Sequence, residues 1–115
     1  MSEIRRLTEK VKQFRDERDW MQFHNHKDMA LSLVLEAAEV LEHFQWKTPA
    51  EVKRHAQEQK DELADELADV AAFLFELADN LGIDLADAIE RKLEKNAKKY
   101  PVEKSKGRHT KYTRL

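Results

Sequence analysis

The sequence predicts an all-α fold, a bundle of four helices that is completed by pairing with a second copy of the chain. Its 115 residues include 2 glycines and 2 prolines, too few for the turns that a sheet protein of this length needs. Hydrophobic residues make up 41% and charged residues 38%, which allows a core beneath a heavily charged surface. The apolar residues recur at helical spacing, and the length predicts one domain spanning residues 1–115.

The composition also excludes several classes of protein. The absence of cysteine excludes disulfide scaffolds and thiolate zinc sites, and it suits a cytoplasmic location. The longest uncharged stretches, Met29–Leu35 and Val70–Phe75, are far shorter than the roughly 18 residues that span a bilayer. The first residues form no hydrophobic signal segment. Since the net charge is −2, we expect neither nucleic acid nor membrane as a partner.

The first helix is expected from Glu3 to Asp19, with Ser2 as its N-cap. Four apolar residues at spacings of 3, 4 and 3 form one stripe along it: Ile4, Leu7, Val11 and Phe14. The segment Trp20–His26 interrupts this pattern and is interpreted as a connector. It contains the two aromatic residues Trp20 and Phe23 and two histidines.

The second helix is expected over Lys27–Trp46 and the third over Ala50–Leu81. Between them, Thr48 as N-cap, Pro49 at the first helical position and Glu51 at the third form a capping box. The first turns of the third helix are almost entirely polar, so this end is expected either to project from the bundle or to be poorly packed.

Gly82 suits the end of the third helix, and Asp84 suits the N-cap of a fourth helix over Leu85–Lys99. A short tail, Pro101–Leu115, follows that helix. The tail is basic, and it is interpreted either as a solvated terminus or as a lid over phosphate groups.

The second and third helices are apolar nearly all round, from Met29 to Phe44 and from Leu63 to Leu81. A surface helix of a small bundle has only one apolar side. A monomer of this size has few places to bury two such helices, so we predict a homodimer or a larger assembly.

Each of these helices carries one polar stripe. The stripe on the second helix contains Ser32, Glu36, Glu39 and His43, and the stripe on the third contains Glu62, Glu66 and Asp69, with Asp65 beside it. Carboxylates three residues apart share a helix face and repel each other. No basic residue occurs between Lys27 and Lys47 or between Lys60 and Arg91 that could neutralise them. All-oxygen ligands favour Mg²⁺ or Mn²⁺ over zinc, although a solvated surface stays an alternative.

A di-iron centre is a competing interpretation of these acids. It requires Glu-x-x-His on two helices, and none of the five histidines has a glutamate three residues before it.

The order of the acids resembles the signature of a known family. Glu36-x-x-Glu39, 26 intervening residues and Glu66-x-x-Asp69 are similar to the motif of the all-α nucleoside triphosphate pyrophosphatases, the MazG-like superfamily. The similarity runs from about Ile4 to the C-terminus. Four further segments resemble its dCTP pyrophosphatase branch: Glu17–His24, Phe44–Lys47, Asn96–Val102 and Lys111–Thr113.

The resemblance implies a MazG-like bundle that hydrolyses a (deoxy)nucleoside triphosphate to the monophosphate and pyrophosphate with Mg²⁺. It implies that Glu36, Glu39, Glu66 and Asp69 hold the metal. It also implies dimers, often paired into tetramers. The positions implied to contact the nucleotide or close the site are Trp20, Phe23, His24, Trp46, Lys92, Asn96 and Tyr100.

Two departures from the branch affect the nucleoside pocket. A histidine near the base is replaced by Val11, and a tyrosine four residues after the second acidic motif is replaced by Phe73. Both changes remove hydrogen-bonding groups, so the base preference stays open between dCTP and the substrates of a dUTP/dUDP-type hydrolase.

The mechanism expected from these residues is attack of water on the α-phosphorus, with Glu62 or Asp65 as the group that orients or deprotonates the water. A base is expected to stack on Trp20, Trp46 or both. An alternative from another class is a non-catalytic helical dimerisation module whose acids are solvated.

Overall fold

The computed structural model describes residues 2–115. This part of the chain contains six α-helices and two short 3₁₀ turns, joined by loops. The 3₁₀ turns are Met21–Phe23 and Tyr112–Arg114. No strand occurs within residues 2–115, so the predicted all-α class is confirmed. The helices are α1 (Glu3–Glu17), α2 (His26–Glu42), α3 (Pro49–Glu58), α4 (Lys60–Asn80), α5 (Leu85–Lys99) and α6 (Val102–Ser105).

Short polar side chains determine where most of these helices begin, because they accept hydrogen bonds from otherwise unpaired amides. Ser2 caps α1 and Asp84 caps α5, as predicted. The predicted capping box is present at α3, where Thr48 and Glu51 bond each other's backbone amides. Asn25 caps α2 through the amide of Asp28, so α2 begins one residue earlier than expected.

The prediction of one continuous third helix over residues 50–81 is wrong. The helix is interrupted at Gln59, whose φ of −111° and ψ of 31° are not helical, so α3 and α4 are separate. The interruption lets α3 contact the end of α2: Nε2 of His55 lies 2.7 Å from Nδ1 of His43. The polar start of the predicted third helix therefore contacts the end of α2 through His55. Residues 2–115 form six α-helices, where the sequence predicted four.

Two other predicted helices are too long. The first ends at Glu17 rather than Asp19, and the second ends at Glu42 rather than Trp46. Asp19 and Trp46 have φ angles of 54° and 65°, a left-handed conformation that cannot continue a right-handed helix. The last predicted helix, over residues 85–99, agrees with α5, and Gly82 with φ 71° follows α4 as expected.

The chain divides into two compact units, one ending at Gly82 and the other covering Ile83–Leu115. In the first unit α4 is central: it packs along α2, against α1 and, less extensively, against α3. In the second unit, the ring of Tyr112 meets the ring of Tyr100 edge to face at 5.8 Å, which connects the tail to the end of α5. None of the helices within residues 2–115 combines the length and apolarity needed to cross a membrane.

The first unit has a small apolar core. The buried apolar side chains among the described residues are Met29, Leu63 and Ala78. By contrast, large apolar side chains on α2 stay more than half exposed: Leu31, Val34, Leu35 and Leu41. Their spacing puts them on one side of α2, so a continuous apolar surface is left uncovered within one copy of the chain.

Two ion pairs to Asp79 join α1 to α4. The carboxylate of Asp79 lies 2.9 Å from Arg5 and 3.2 Å from Lys12. Burial alone would raise the pKa of Asp79, but the hydrogen bonds from Arg5 and Lys12 outweigh burial and hold its pKa below the usual value. The pairs therefore stabilise the fold above the ordinary carboxylate pKa, and this contribution is lost as the pH falls through the lowered pKa.

The variant Asp79→Asn is expected to lower the free energy of unfolding by about 1 kcal/mol at neutral pH, because Arg5 and Lys12 are partly exposed to water, which weakens their ion pairs with Asp79. The wild type and the variant should converge as the pH falls through the lowered pKa of Asp79, because the carboxyl is then protonated. Urea unfolding at a series of pH values measures the difference, and a gap that persists in acid would contradict the ion-pair explanation.

Candidate active site

The four carboxylates of the acidic motifs lie on two helices that pack together. Glu36 and Glu39 are on α2, and Glu66 and Asp69 are on α4. Within each pair the residues are three apart and share one side of their helix. Glu36 and Glu66 are half-buried, whereas Glu39 and Asp69 are exposed. We call these four side chains the acidic cluster.

The members of the acidic cluster affect each other electrostatically. Burial raises the pKa of Glu36, and the charges of Glu39, Asp69 and Glu66 raise it further. One carboxylate oxygen of Glu36 and one of Glu66, Oε2 in each case, are buried without a hydrogen-bond partner among residues 2–115. Such groups cost free energy unless a donor or a cation satisfies them.

His43 is a neighbour of the acidic cluster to which the sequence analysis gave no role. Its Nε2 lies 2.6 Å from Oε2 of Glu66, although the contact lacks the direction of a hydrogen bond, and its Nδ1 lies 2.7 Å from His55. The sequence did contain a signal, because His43 follows Glu39 by four residues on the same stripe. We infer that His43 restricts the position of the Glu66 side chain.

The donor set of the acidic cluster suits a hard cation, because every ligand atom would be a carboxylate oxygen. The two unpartnered buried oxygens and the mutual repulsion at Glu36 are features that a cation would relieve. Within residues 2–115 no three His, Asp or Glu side chains are arranged to hold one metal ion in their present rotamers.

A cavity of about 170 Å³ lies beside the acidic cluster, entirely within the first unit. It brings together three predicted nucleotide-binding residues, Trp20, His24 and Phe73. Asp69 also lines it, so one carboxylate of the acidic cluster reaches the cavity. The remaining lining residues are Val11, Phe14, Arg15, Ala72 and Glu76.

One side of the cavity is aromatic and apolar. The rings of Trp20 and Phe14 meet edge to face at 5.9 Å, which holds the indole in place while 43% of Trp20 stays exposed. Val11 and Phe73, the two positions that depart from the dCTP pyrophosphatase branch, contribute apolar surface. A flat heterocycle can stack here without needing a specific hydrogen bond.

The cavity also has polar lining residues, most of which had no predicted role. Glu76 is 2% exposed, and its carboxylate lies 2.8 and 3.0 Å from Nδ1 of His24. Asn80 donates to Glu76 at 3.0 Å, and Arg15 lies 3.6 Å away. The sequence did contain a signal, because Glu76 follows Asp69 by seven residues and so lies two turns along the same face of α4.

Other predicted site residues of the first unit lie outside this cavity. Glu62 is exposed on α4, one turn before Glu66. Phe23 is 61% exposed on the 3₁₀ turn before α2, and Trp46 is 93% exposed after α2. Their catalytic or nucleotide-binding roles stay predictions.

The remaining predicted residues belong to the second unit. Lys92 lies on α5 at a shallow apolar groove that also includes Leu85, Ile89 and Leu93. Asn96 is half-buried on α5, and its carbonyl accepts a hydrogen bond from the amide of Tyr100. Their predicted part in closing the site also stays a prediction.

Comparisons with known proteins identify the class to which this fold and acidic cluster belong. A model of the MazG-like family matches residues 31–115, which include both acidic motifs. The chain therefore belongs to the MazG-like family.

Within that family the chain groups with the dCTP pyrophosphatases, as its motifs predicted. It is 41% identical to dCTP pyrophosphatase 1 of Rattus norvegicus and 37% identical to dCTP pyrophosphatase 1 of Homo sapiens. Both alignments cover 100% of this chain and 67% of the relative.

A solved structure of a pyrophosphatase from Archaeoglobus fulgidus is also similar. The two folds superpose with a TM-score of 0.82 at 37% sequence identity. The match covers 88% of this chain and 94% of the archaeal chain. The helical arrangement is therefore shared with an experimentally determined pyrophosphatase.

Proposed function

We propose that this chain is a nucleotide pyrophosphohydrolase that converts a (deoxy)nucleoside triphosphate, such as dCTP, to the monophosphate and pyrophosphate. The observation that carries the proposal is the acidic cluster beside an aromatic cavity, with Asp69 common to both. The names of the similar rat, human and archaeal proteins support the same chemistry.

The proposed cofactor is Mg²⁺, with Mn²⁺ as a substitute, held by Glu36, Glu39, Glu66 and Asp69. The support is Oε2 of Glu36, which is buried without a hydrogen-bond partner among residues 2–115, and the raised pKa of Glu36, which mark a site short of positive charge. When bound, such an ion neutralises phosphate charge and makes water a stronger nucleophile. Without positive charge, the acidic cluster would repel a triphosphate.

The protein side chains would position the substrate and handle the proton. The base stacks on Trp20 in the cavity, which directs the phosphates toward Asp69 and the rest of the acidic cluster. Water then attacks the α-phosphorus, a new P–O bond forms and the bond to the leaving pyrophosphate breaks. Glu62, on the same helix as Glu66, accepts the proton of the water.

Further nucleotide contacts are proposed for Phe23 and Trp46 in the first unit. In the second unit, Lys92, Asn96 and Tyr100 are proposed to close the site over the phosphates. Lys92 supplies the positive charge that this task needs.

The active form is proposed to be a homodimer, with a dimer of dimers as the larger assembly. The support is the exposed apolar side of α2, where Val34 and Leu41 are 63% and 68% exposed. We further propose that the enzyme works in the cytoplasm and removes surplus or non-standard nucleotides from the precursor pool.

A dUTP/dUDP-type hydrolase is the second candidate. The apolar Val11 and Phe73 in the cavity favour it, because the hydrogen-bonding groups that the dCTP branch has at these positions are missing. The helical dimerisation module without catalysis is the remaining alternative, and it predicts no turnover of any nucleotide.

The test is to incubate the protein with a panel of NTPs, dNTPs and dUDP, with Mg²⁺ or EDTA, and to follow the products by phosphorus NMR. We expect monophosphate plus pyrophosphate to form with Mg²⁺ and not with EDTA. Diphosphate plus orthophosphate would contradict attack at the α-phosphorus. Turnover of dUTP and dUDP to dUMP would favour the second candidate, and no turnover would favour the dimerisation module.

A further inference from the structure

A cluster of polar residues around Glu76 lies at the cavity, and the proposed hydrolysis gives Glu76 no role. Its centre is Glu76, which is 2% exposed. Three side chains surround the carboxylate: His24 and Asn80 are within hydrogen-bond distance, and Arg15 lies 3.6 Å away. Burial of a charged carboxylate is costly unless its oxygens are satisfied, so these side chains act as one unit.

Glu76 determines which nitrogen of His24 carries a proton. A carboxylate can only accept hydrogen bonds, and its oxygens lie 3.0 and 2.8 Å from Nδ1 of His24. The proton of the neutral ring is therefore on Nδ1. Nε2 is left with a lone pair and accepts hydrogen bonds.

His24 is the member of this cluster that is free to meet a ligand. Its side chain is 18% exposed and lines the cavity together with Trp20. Arg15 is already engaged by Asp16 at 2.8 Å and by Asn80 at 3.4 Å. A base stacked on Trp20 would therefore meet the Nε2 lone pair of His24 within the cavity.

We propose that Glu76 is a positioning residue that sets base preference by holding His24 in this tautomer. An accepting Nε2 favours a pyrimidine that carries an exocyclic amino group over one that presents a carbonyl at the same place. The inference rests on the proposed function, since it assigns the selectivity of the same cavity. It also explains how selectivity can exist although Val11 and Phe73 are apolar.

Two variants separate the tautomer from the packing. His24→Phe keeps a flat ring but removes both nitrogens. In Glu76→Gln the amide oxygen is needed by Asn80, which donates to it, and faces the positive charge of Arg15 at 3.6 Å, so the amide NH₂ group turns toward His24. The ring proton then shifts to Nε2, which becomes a donor and favours a carbonyl.

Asp79→Asn is the matched control. Asp79 is a carboxylate on the same helix, three residues after Glu76, and its partners Arg5 and Lys12 do not line the cavity. This variant loses a comparable charge and some stability, and it should keep the base preference of the wild type.

The experiment titrates deoxycytidine and deoxyuridine into the four proteins without metal, in the same buffer throughout. Tryptophan fluorescence reports binding, and circular dichroism checks the helical content. The wild type and the control are expected to bind deoxycytidine about 3- to 10-fold more tightly than deoxyuridine, which is the effect of one hydrogen bond. His24→Phe should bind both nucleosides about equally, and Glu76→Gln should lose or reverse the preference.

The inference is overturned if the wild type binds deoxyuridine as tightly as deoxycytidine or binds neither nucleoside. It is also overturned if His24→Phe keeps the preference for deoxycytidine. The last criterion holds even if Glu76→Gln fails to fold. Selective binding of deoxycytidine without triphosphate hydrolysis would support this inference and contradict the proposed function. Triphosphate hydrolysis together with a preference for deoxycytidine that survives in His24→Phe would support the proposed function and contradict this inference.

Discussion

Glu36→Gln is expected to reduce nucleotide hydrolysis by at least about 100-fold, the scale of losing one electrostatic group at a reacting phosphate. In the proposed site Glu36 is a cation ligand, and a neutral amide binds a hard cation poorly. The same substitution removes the charge whose pKa is raised by burial and by Glu39, Asp69 and Glu66. The metal-free variant should therefore unfold at the same temperature as the wild type or a higher one.

Hydrolysis assays with Mg²⁺, together with thermal unfolding in EDTA and in Mg²⁺, test both parts of this prediction. The wild type should be stabilised by Mg²⁺ and the variant should not. Glu58→Gln is a suitable control, because Glu58 is an exposed carboxylate at the end of α3. Lower stability with unchanged turnover would show that Glu36 has a structural role only.

Val34→Glu is expected to convert the proposed dimer to a monomer and to abolish most of the activity. Val34 is 63% exposed on α2, between the exposed Leu31 and Leu41. Burial of an unpaired carboxylate in an apolar interface costs several kcal/mol, which is enough to dissociate a typical dimer at micromolar concentration. Glutamate is a better helix former than valine, so the helix itself should not suffer.

Sedimentation analysis should give about twice 13.6 kDa for the wild type and about 13.6 kDa for the variant. Gln57→Glu adds the same charge to an exposed position on α3 and should leave the assembly unchanged. A wild-type monomer with full activity would contradict the proposed assembly. A variant that stays dimeric would move the interface away from this side of α2.

Local rules predicted much of the fold and one half of the candidate site. Thr48, Pro49 and Glu51 marked a helix start, and the spacing of Glu36, Glu39, Glu66 and Asp69 marked the acidic motifs. These signals depend on residues three or four positions apart, which helical geometry brings together without any tertiary contact. The motifs also predicted the family, which the comparisons confirmed.

The other half of the site depends on contacts across the chain. His24 and Glu76 are separated by 52 positions, and His43 and His55 by 12. Neither pair has a sequence signal of its own, because each forms only after the helices pack. The break at Gln59 likewise has no proline or glycine to signal it, and it accompanies the contact between His55 and His43.

By itself the sequence determined the helical class, most helix starts, the two acidic motifs and the membership of the MazG-like family. Helical periodicity and capping are properties of neighbouring residues, so a single chain displays them before it folds. Only the tertiary structure decided that Asp69 meets Trp20 and His24 at one cavity, and that Glu76 lies buried behind the histidine. Packing alone brings distant helices within hydrogen-bond distance and removes the water that would otherwise satisfy a carboxylate.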